Sequence, residues 1–169
     1  MTGRGIDQIQ RHSVDPVLYE PWITDAREYI ALAEEVNGPV SRPVDDAYVW
    51  GDALGILTAR EPDARIINLE TAITRSGEPW PRKGIHYRMH PANSGLLVAA
   101  DIDCCVLANN HILDWGYAGL EETLHTLENA GIAGRQLVGS KSGVFIGVSS
   151  SDYAQLTGGD LDRMDFYAG

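Results

Sequence analysis

The chain reads as an α/β domain built on mostly parallel strands. Stretches with helical apolar spacing alternate with short apolar runs along its 169 residues. Gly, Pro and Asn cluster between them as turn signals. Two polar clusters, Asn68-Leu69-Glu70 and Asn109-Asn110-His111, directly follow two of the apolar runs. That is where an open parallel sheet places its ligand-facing loops.

Residues 1–21 are polar and contain Pro16 and Pro21, so they read as loop. Asp25 to Val36 has helical spacing and is stopped by Asn37-Gly38-Pro39. Ser41-Arg42-Pro43 is a turn. Asp45 to Arg60 reads as one helix ending before Pro62, with Asp45-Asp46 as its acidic start. Ala64 to Ile67 is a short buried strand in expectation, and Thr74 to Gly84 is a Gly/Pro-rich loop. Pro91 opens a helix that runs through Val98. Ile102 to Ala108 is a second strand. Ala118 to Asn129 is a helix with Leu120, Leu124 and Leu127 on one face, stopped by Gly131. Ser142 to Val148 is a third strand, and the Ser/Gly/Asp-rich stretch Ser149 to Gly169 reads as weakly structured.

The length suits one domain with its own core. Apolar residues make up 44% and charged residues 22%, ordinary for a globular protein. A formal net charge of −11 argues against general nucleic-acid binding, which needs cations against phosphates. An acidic protein still takes phosphate where a metal ion supplies the positive field. No apolar run is long enough to cross a bilayer and no signal-like segment opens the chain. The expectation is a soluble, cytoplasmic protein. Cys104 and Cys105 are neighbours, unsuited to a mutual disulfide, and read as small buried side chains.

Consecutive parallel strands would bring Glu70, Asn110 and His111 to one sheet edge. A carboxylate and an amide oxygen suit Mn²⁺ or Mg²⁺. A histidine there can give a proton to a leaving oxygen. Asp114, three residues on, can orient that imidazole. The same residues also read as turn formers, a solvated carboxylate and a helix cap. His86 and His90 are spaced like two ligands on a helix turn, but Gly84 and Pro91 favour packed or exposed structural roles. Lys83 and Arg88 could meet a phosphate or carboxylate, and Trp80, between Pro79 and Pro81, could anchor its loop or recognise a ligand.

Larger motifs shift that balance. Ala108-Asn109-Asn110-His111-Ile112-Leu113-Asp114-Trp115-Gly116 resembles the ANNHxLDxG segment of CapA-like capsule and poly-γ-glutamate synthesis proteins. Asn68-Leu69-Glu70 resembles their NLE segment. WGDAL (50–54), NLETAIT (68–74) and YRMHPAN (87–93) also look like this family. The resemblance implies a partial calcineurin-like metallophosphoesterase sandwich over residues 1–131. It implies Glu70 and Asn110 as ligands of a divalent Mn or Mg ion. It implies His111 as the catalytic histidine, with Asp114 supporting it and Asn68 and Asn109 bordering the substrate.

Relative to that family the chain reads as incomplete at both ends. Met1 to Gly5 resembles the residues just after an apolar strand ending in Gly-Asp, and no histidine follows His125. From about Leu127 the sequence resembles a polyketide-synthase ketosynthase segment, so residues 132–169 form a ketosynthase-like or unassigned tail. The nucleophilic Cys motif of condensing enzymes does not occur.

Two function classes follow. One is a capsule or poly-γ-glutamate biosynthesis protein with metal-dependent phosphoester hydrolase chemistry on a phosphate- or carboxylate-bearing substrate. The other is a non-catalytic α/β fragment or fusion remnant acting through a partner, self-associating through an exposed sheet edge.

Overall fold

The computed structural model describes residues 2–139 and 145–148. Five α-helices and six strands alternate along them: α1 (Gly5–Ile9), α2 (Arg27–Asn37), α3 (Ala53–Arg60), β1 (Ile66–Asn68), β2 (Ala72–Ile73), β3 (Arg88–Met89), α4 (Gly95–Val98), β4 (Cys104–Val106), α5 (Gly116–Asn129), β5 (Ala133–Gly139) and β6 (Phe145–Val148). The main sheet has the order β1-β4-β5-β6. β1, β4 and β5 are parallel, with Asn68 opposite Val106 and Cys104 opposite Ala133, while β6 runs antiparallel to β5. β2 and β3 form a separate parallel pair. The α/β class with parallel strands is therefore present.

α5 is the crossover between β4 and β5, and its apolar stripe explains its position. Leu120, Thr123 and Leu127 are buried against Leu69, Ile73, Met89, Leu97, Cys105 and Leu107. The Thr123 hydroxyl takes the Ile73 N–H at 2.9 Å and donates to the Gly119 carbonyl at 2.7 Å, pinning α5 to β2. At the other end Ile132 N–H bonds the Leu127 carbonyl and Gly131 adopts a φ of +73°. This is a glycine-dependent helix stop.

Several sequence expectations are revised. Residues 5–9 are helical rather than loop. Asp7 is fully buried there and accepts the N–H groups of Val14 and His90 and the Asn93 side-chain amide, each at 2.8 Å. Those long-range bonds, not local propensity, hold α1. Burial pushes the Asp7 carboxyl up, against the pull of these donors. The helix expected over 45–60 is broken in two. A 3₁₀ turn at Tyr48–Trp50 ends at Gly51, whose φ is +50°, before α3 begins. Trp50 Nε1 donates to the Leu96 carbonyl at 2.7 Å, fixing the turn onto α4.

β1 is an outer strand of the described sheet rather than a buried one, with Ile66 63% exposed. β5 was not foreseen, because Ala-Gly-Arg-Gln-Leu-Val-Gly carries too few apolar residues to signal a strand. The third expected strand is β6 from Phe145. Residues 142–144 and the tail from Ser149 lie outside the described residues. Both cysteines are free, as expected. Cys105 is buried, and its thiol is pushed up to about 12 by loss of solvation.

Half-buried Glu122 on α5 gathers the turn after β2. It accepts the Thr74 hydroxyl at 2.6 Å and the Arg75 and Ser76 N–H groups at 2.9 and 2.8 Å. Desolvation raises its pKa, but the bonds from Thr74, Ser76 and Arg75 together outweigh it and hold the carboxyl at about 2. A depressed carboxylate stabilises the fold above its ordinary pKa of 4.5, and that stability drains away as pH falls toward 2. Glu122→Gln is expected to lose about 1 kcal/mol at neutral pH, reduced by solvent screening. In urea titrations the gap between parent and variant should close between pH 4.5 and 2; a gap constant across that window refutes the assignment.

Candidate active site

Parallel pairing of β1 with β4 puts their carboxyl-terminal loops side by side. Asn68 ends β1, with Glu70 two residues on, and Asn109-Asn110-His111 follow β4. Asn109 joins the two loops. Its amide donates to Asn68 Oδ1 and to the Leu69 carbonyl, both at 3.0 Å, and its Oδ1 accepts the His111 N–H at 3.0 Å. A tight turn over 109–116 then leads into α5.

Asp114 lies at the bottom of this turn, 0% exposed. Its Oδ2 is 2.8 Å from His111 Nδ1 and accepts the Tyr87 N–H at 2.5 Å. Its Oδ1 is 2.5 Å from Lys83 Nζ. A carboxylate only accepts, so Nδ1 carries a proton, and in the neutral ring Nε2 is the nitrogen left with a lone pair. Nε2 faces Glu70 Oε1 across 3.6 Å, too far for a hydrogen bond. The Glu70 side chain is 39% exposed while that of His111 is almost wholly buried, so the line Asp114–His111–Glu70 runs from the interior to solvent. The Tyr87 ring stacks on the imidazole, centroids 4.1 Å apart and planes at 24°. The Arg4 guanidinium lies over Tyr87, 5.2 Å from its centroid, held by Glu20 and the Tyr29 hydroxyl.

Asn68 at the end of β1 and Glu70, Asn109, Asn110, His111 and Asp114 in the two loops, all singled out from the sequence, thus lie in neighbouring segments. Asp114 lies in hydrogen-bond contact with His111 Nδ1. It does not cap α5, whose N-cap position is Trp115. Asn110 is exposed, and its carbonyl receives Lys83. Lys83 is thus engaged inside the protein rather than waiting for a ligand. His86 and His90 have separate structural roles. His86 Nε2 bonds the Trp80 carbonyl at 3.0 Å, and His90 Nδ1 accepts the Ala92 N–H at 3.0 Å. Trp80 anchors its loop through its N–H to the Asp114 carbonyl at 2.8 Å. Arg88 Cζ lies over the Trp115 ring, 3.5 Å from its centroid, and burial lowers the guanidinium pKa. Sequence reasoning missed Tyr87 and Arg4 as neighbours of the site. Nothing local signals a ring stack between residues so far apart in the chain.

The donor chemistry fits a divalent ion in part. Among the described residues no three His, Cys, Asp or Glu side chains converge as a cage. Yet Glu70 Oε1 and His111 Nε2, a ligand pair when the ring is neutral, face each other across 3.6 Å, with the exposed Asn110 next to His111 in the chain. Mg²⁺-like ions are held by one or two carboxylates with water completing the shell.

Residues 1–141 match the family model for the bacterial capsule synthesis protein PGA_cap. The chain belongs to this family. The PGA_cap chain is 46% identical over 152 residues to a Mycobacterium tuberculosis protein named "Probable polyglutamine synthesis accessory protein", found in two strains. The match covers 88% of the chain and 40% of that relative, so the chain spans about two-fifths of the relatives' length. Residues 117–166 also match the N-terminal domain of beta-ketoacyl synthase. There the chain is 48% identical over 50 residues to 6-methylsalicylic acid synthase of Aspergillus niger, covering 30% of this chain and 3% of that enzyme. No described helix is long and apolar enough to cross a membrane.

Proposed function

We propose that this PGA_cap chain acts in capsule or poly-γ-glutamate synthesis through a phosphoesterase-like site on a calcineurin-like sandwich, with Asp114–His111 as its proton-transferring pair. The observation that carries the reading is the buried Asp114 carboxylate fixing His111 so that Nε2 points at Glu70. The relatives' name, with its "synthesis accessory protein", supports the setting.

His111 would exchange a proton with the leaving or attacking oxygen at Nε2, while Asp114 steadies the imidazolium. Tyr87 covers one ring face and excludes water there. Glu70 and Asn110 would hold a Mn²⁺ or Mg²⁺ ion, which supplies the positive field that an acidic protein needs to draw in a phosphate- or carboxylate-bearing substrate. Asn68 and Asn109 border that substrate and keep the two loops in register.

A second reading, a non-catalytic domain working through a partner or a second copy, is favoured by β1. Among the described residues it is the outer strand of its sheet, with Ile66 exposed, a template for pairing with another strand.

A thermal melt with and without Mn²⁺ separates the two. Mn²⁺ is expected to stabilise the parent chain by about 2.7 kcal/mol at a hundredfold excess over its Kd. Glu70→Gln and Asn110→Ala should both abolish the response. A cooperative melt that ignores Mn²⁺ removes the metal site and leaves the partner reading.

A further inference from the structure

The loop between β2 and β3 does more than cover the site. Lys83, in that loop, reaches across to two points of the turn that carries His111. Its ammonium bonds the Asn110 carbonyl, one residue before His111, and Asp114 Oδ1, three residues after it. The Lys83 side chain is only 23% exposed, so its stem is covered while its head is turned inward. Trp80 and Tyr87 of the same loop each donate a backbone N–H to Asp114, to its carbonyl and its Oδ2. The Tyr87 ring roofs the imidazole.

We propose that Lys83 is the positioning residue of the site, a clamp that holds the His111 turn against the Tyr87 ring. It touches no reacting atom and acts through Asp114 and the Asn110 carbonyl. The physical need is clear. A carboxylate with no solvent contact is costly unless both of its oxygens are met by donors, and a cation among them lowers the cost further. Oδ2 is occupied by Tyr87 and His111, so Lys83 completes Oδ1. An exposed ion pair would be worth little. This one has a buried partner, and it spans the turn rather than linking two surface side chains. A single ammonium with three rotatable donors suits two acceptors lying in different directions.

The inference rests on reading Asp114–His111 as the working pair, but its test needs neither substrate nor metal. The chain has five histidines, and only His111 is stacked on a tyrosine face among those described. In ¹³C-histidine NMR of the full chain, His111 Hε1 should be displaced upfield by the Tyr87 ring current; His111→Gln assigns the signal. Lys83→Met is expected to abolish that displacement while His12, His90 and His125 keep their positions. Lys83→Arg, which retains charge and donors, should restore it. Lys83→Gln provides a second neutral variant if the methionine chain does not fold, with the same expected loss. Glu122→Gln, a destabilising change elsewhere, should leave His111 in place. The proposal is overturned if His111 stays displaced in the neutral variants, or if all five signals shift together. The Mn²⁺ melt decides the functional reading separately, so the failure of one is not mistaken for failure of the other.

Discussion

Replacing Asp114 with alanine is expected to cost the fold about 3–5 kcal/mol, the range for removing one partner of a buried ion pair. The change strands Lys83 beside an apolar methyl and leaves the Tyr87 N–H and His111 Nδ1 without their acceptor. Those donors converge on one side chain with no solvent access, so water cannot easily replace it. Asp114→Asn should cost less, since one oxygen still accepts, but it cannot neutralise Lys83. Urea unfolding followed by fluorescence measures both. A loss under about 1 kcal/mol for the alanine variant would mean that the turn is held by its backbone alone. In any assay that detects turnover, both variants should lose far more rate than substrate affinity, because the imidazole loses its tautomer and its orientation.

Gly77→Ala is the second large effect expected. Gly77 has a φ of +83°, where a β-carbon is strained, and a Cβ built there would sit 1.8 Å from the Trp115 carbonyl oxygen. The obstacle is backbone at the residue next to Asp114 and cannot rotate away. Overpacking of about 1–3 kcal/mol adds to a left-handed penalty of about 1–2 kcal/mol. The expected loss is about 3 kcal/mol or more, with His111 displaced as the 74–84 loop is pushed off the turn. Gly131→Ala is the comparison. It also has positive φ, +73°, but nothing stands within 4 Å of its Cβ position. It should lose only the conformational part, about 1 kcal/mol. Equal losses in the two variants would show that φ, not contact with Trp115, governs Gly77.

Both predictions concern contacts made by a loop that the sequence marks only as a loop. Thr74 to Gly84 is legible as Gly/Pro-rich chain, and nothing in its spacing says that Gly77 abuts Trp115 or that Lys83 turns inward. β1 is a related case. Its apolar residues signal a strand, but whether a strand is central or outermost depends on what packs beside it. Ile66 is therefore exposed where burial was expected. Asp7 shows the reverse, a polar residue in a supposed loop that becomes the buried anchor of α1.

The sequence by itself determined the α/β alternation, the α5 stripe with its Gly131 stop, the PGA_cap family, and the two polar segments from which the proposed site is built. These follow from local periodicity, turn chemistry and short contiguous motifs, all read along the chain. Only the tertiary structure decided that Asp114 serves His111 rather than capping α5, that Asn109 joins β1's loop to β4's, and that Lys83 and Tyr87 complete the site. Hydrogen bonds and a ring stack between residues 24 to 41 positions apart depend on how strands pair and loops return, and no local pattern encodes that.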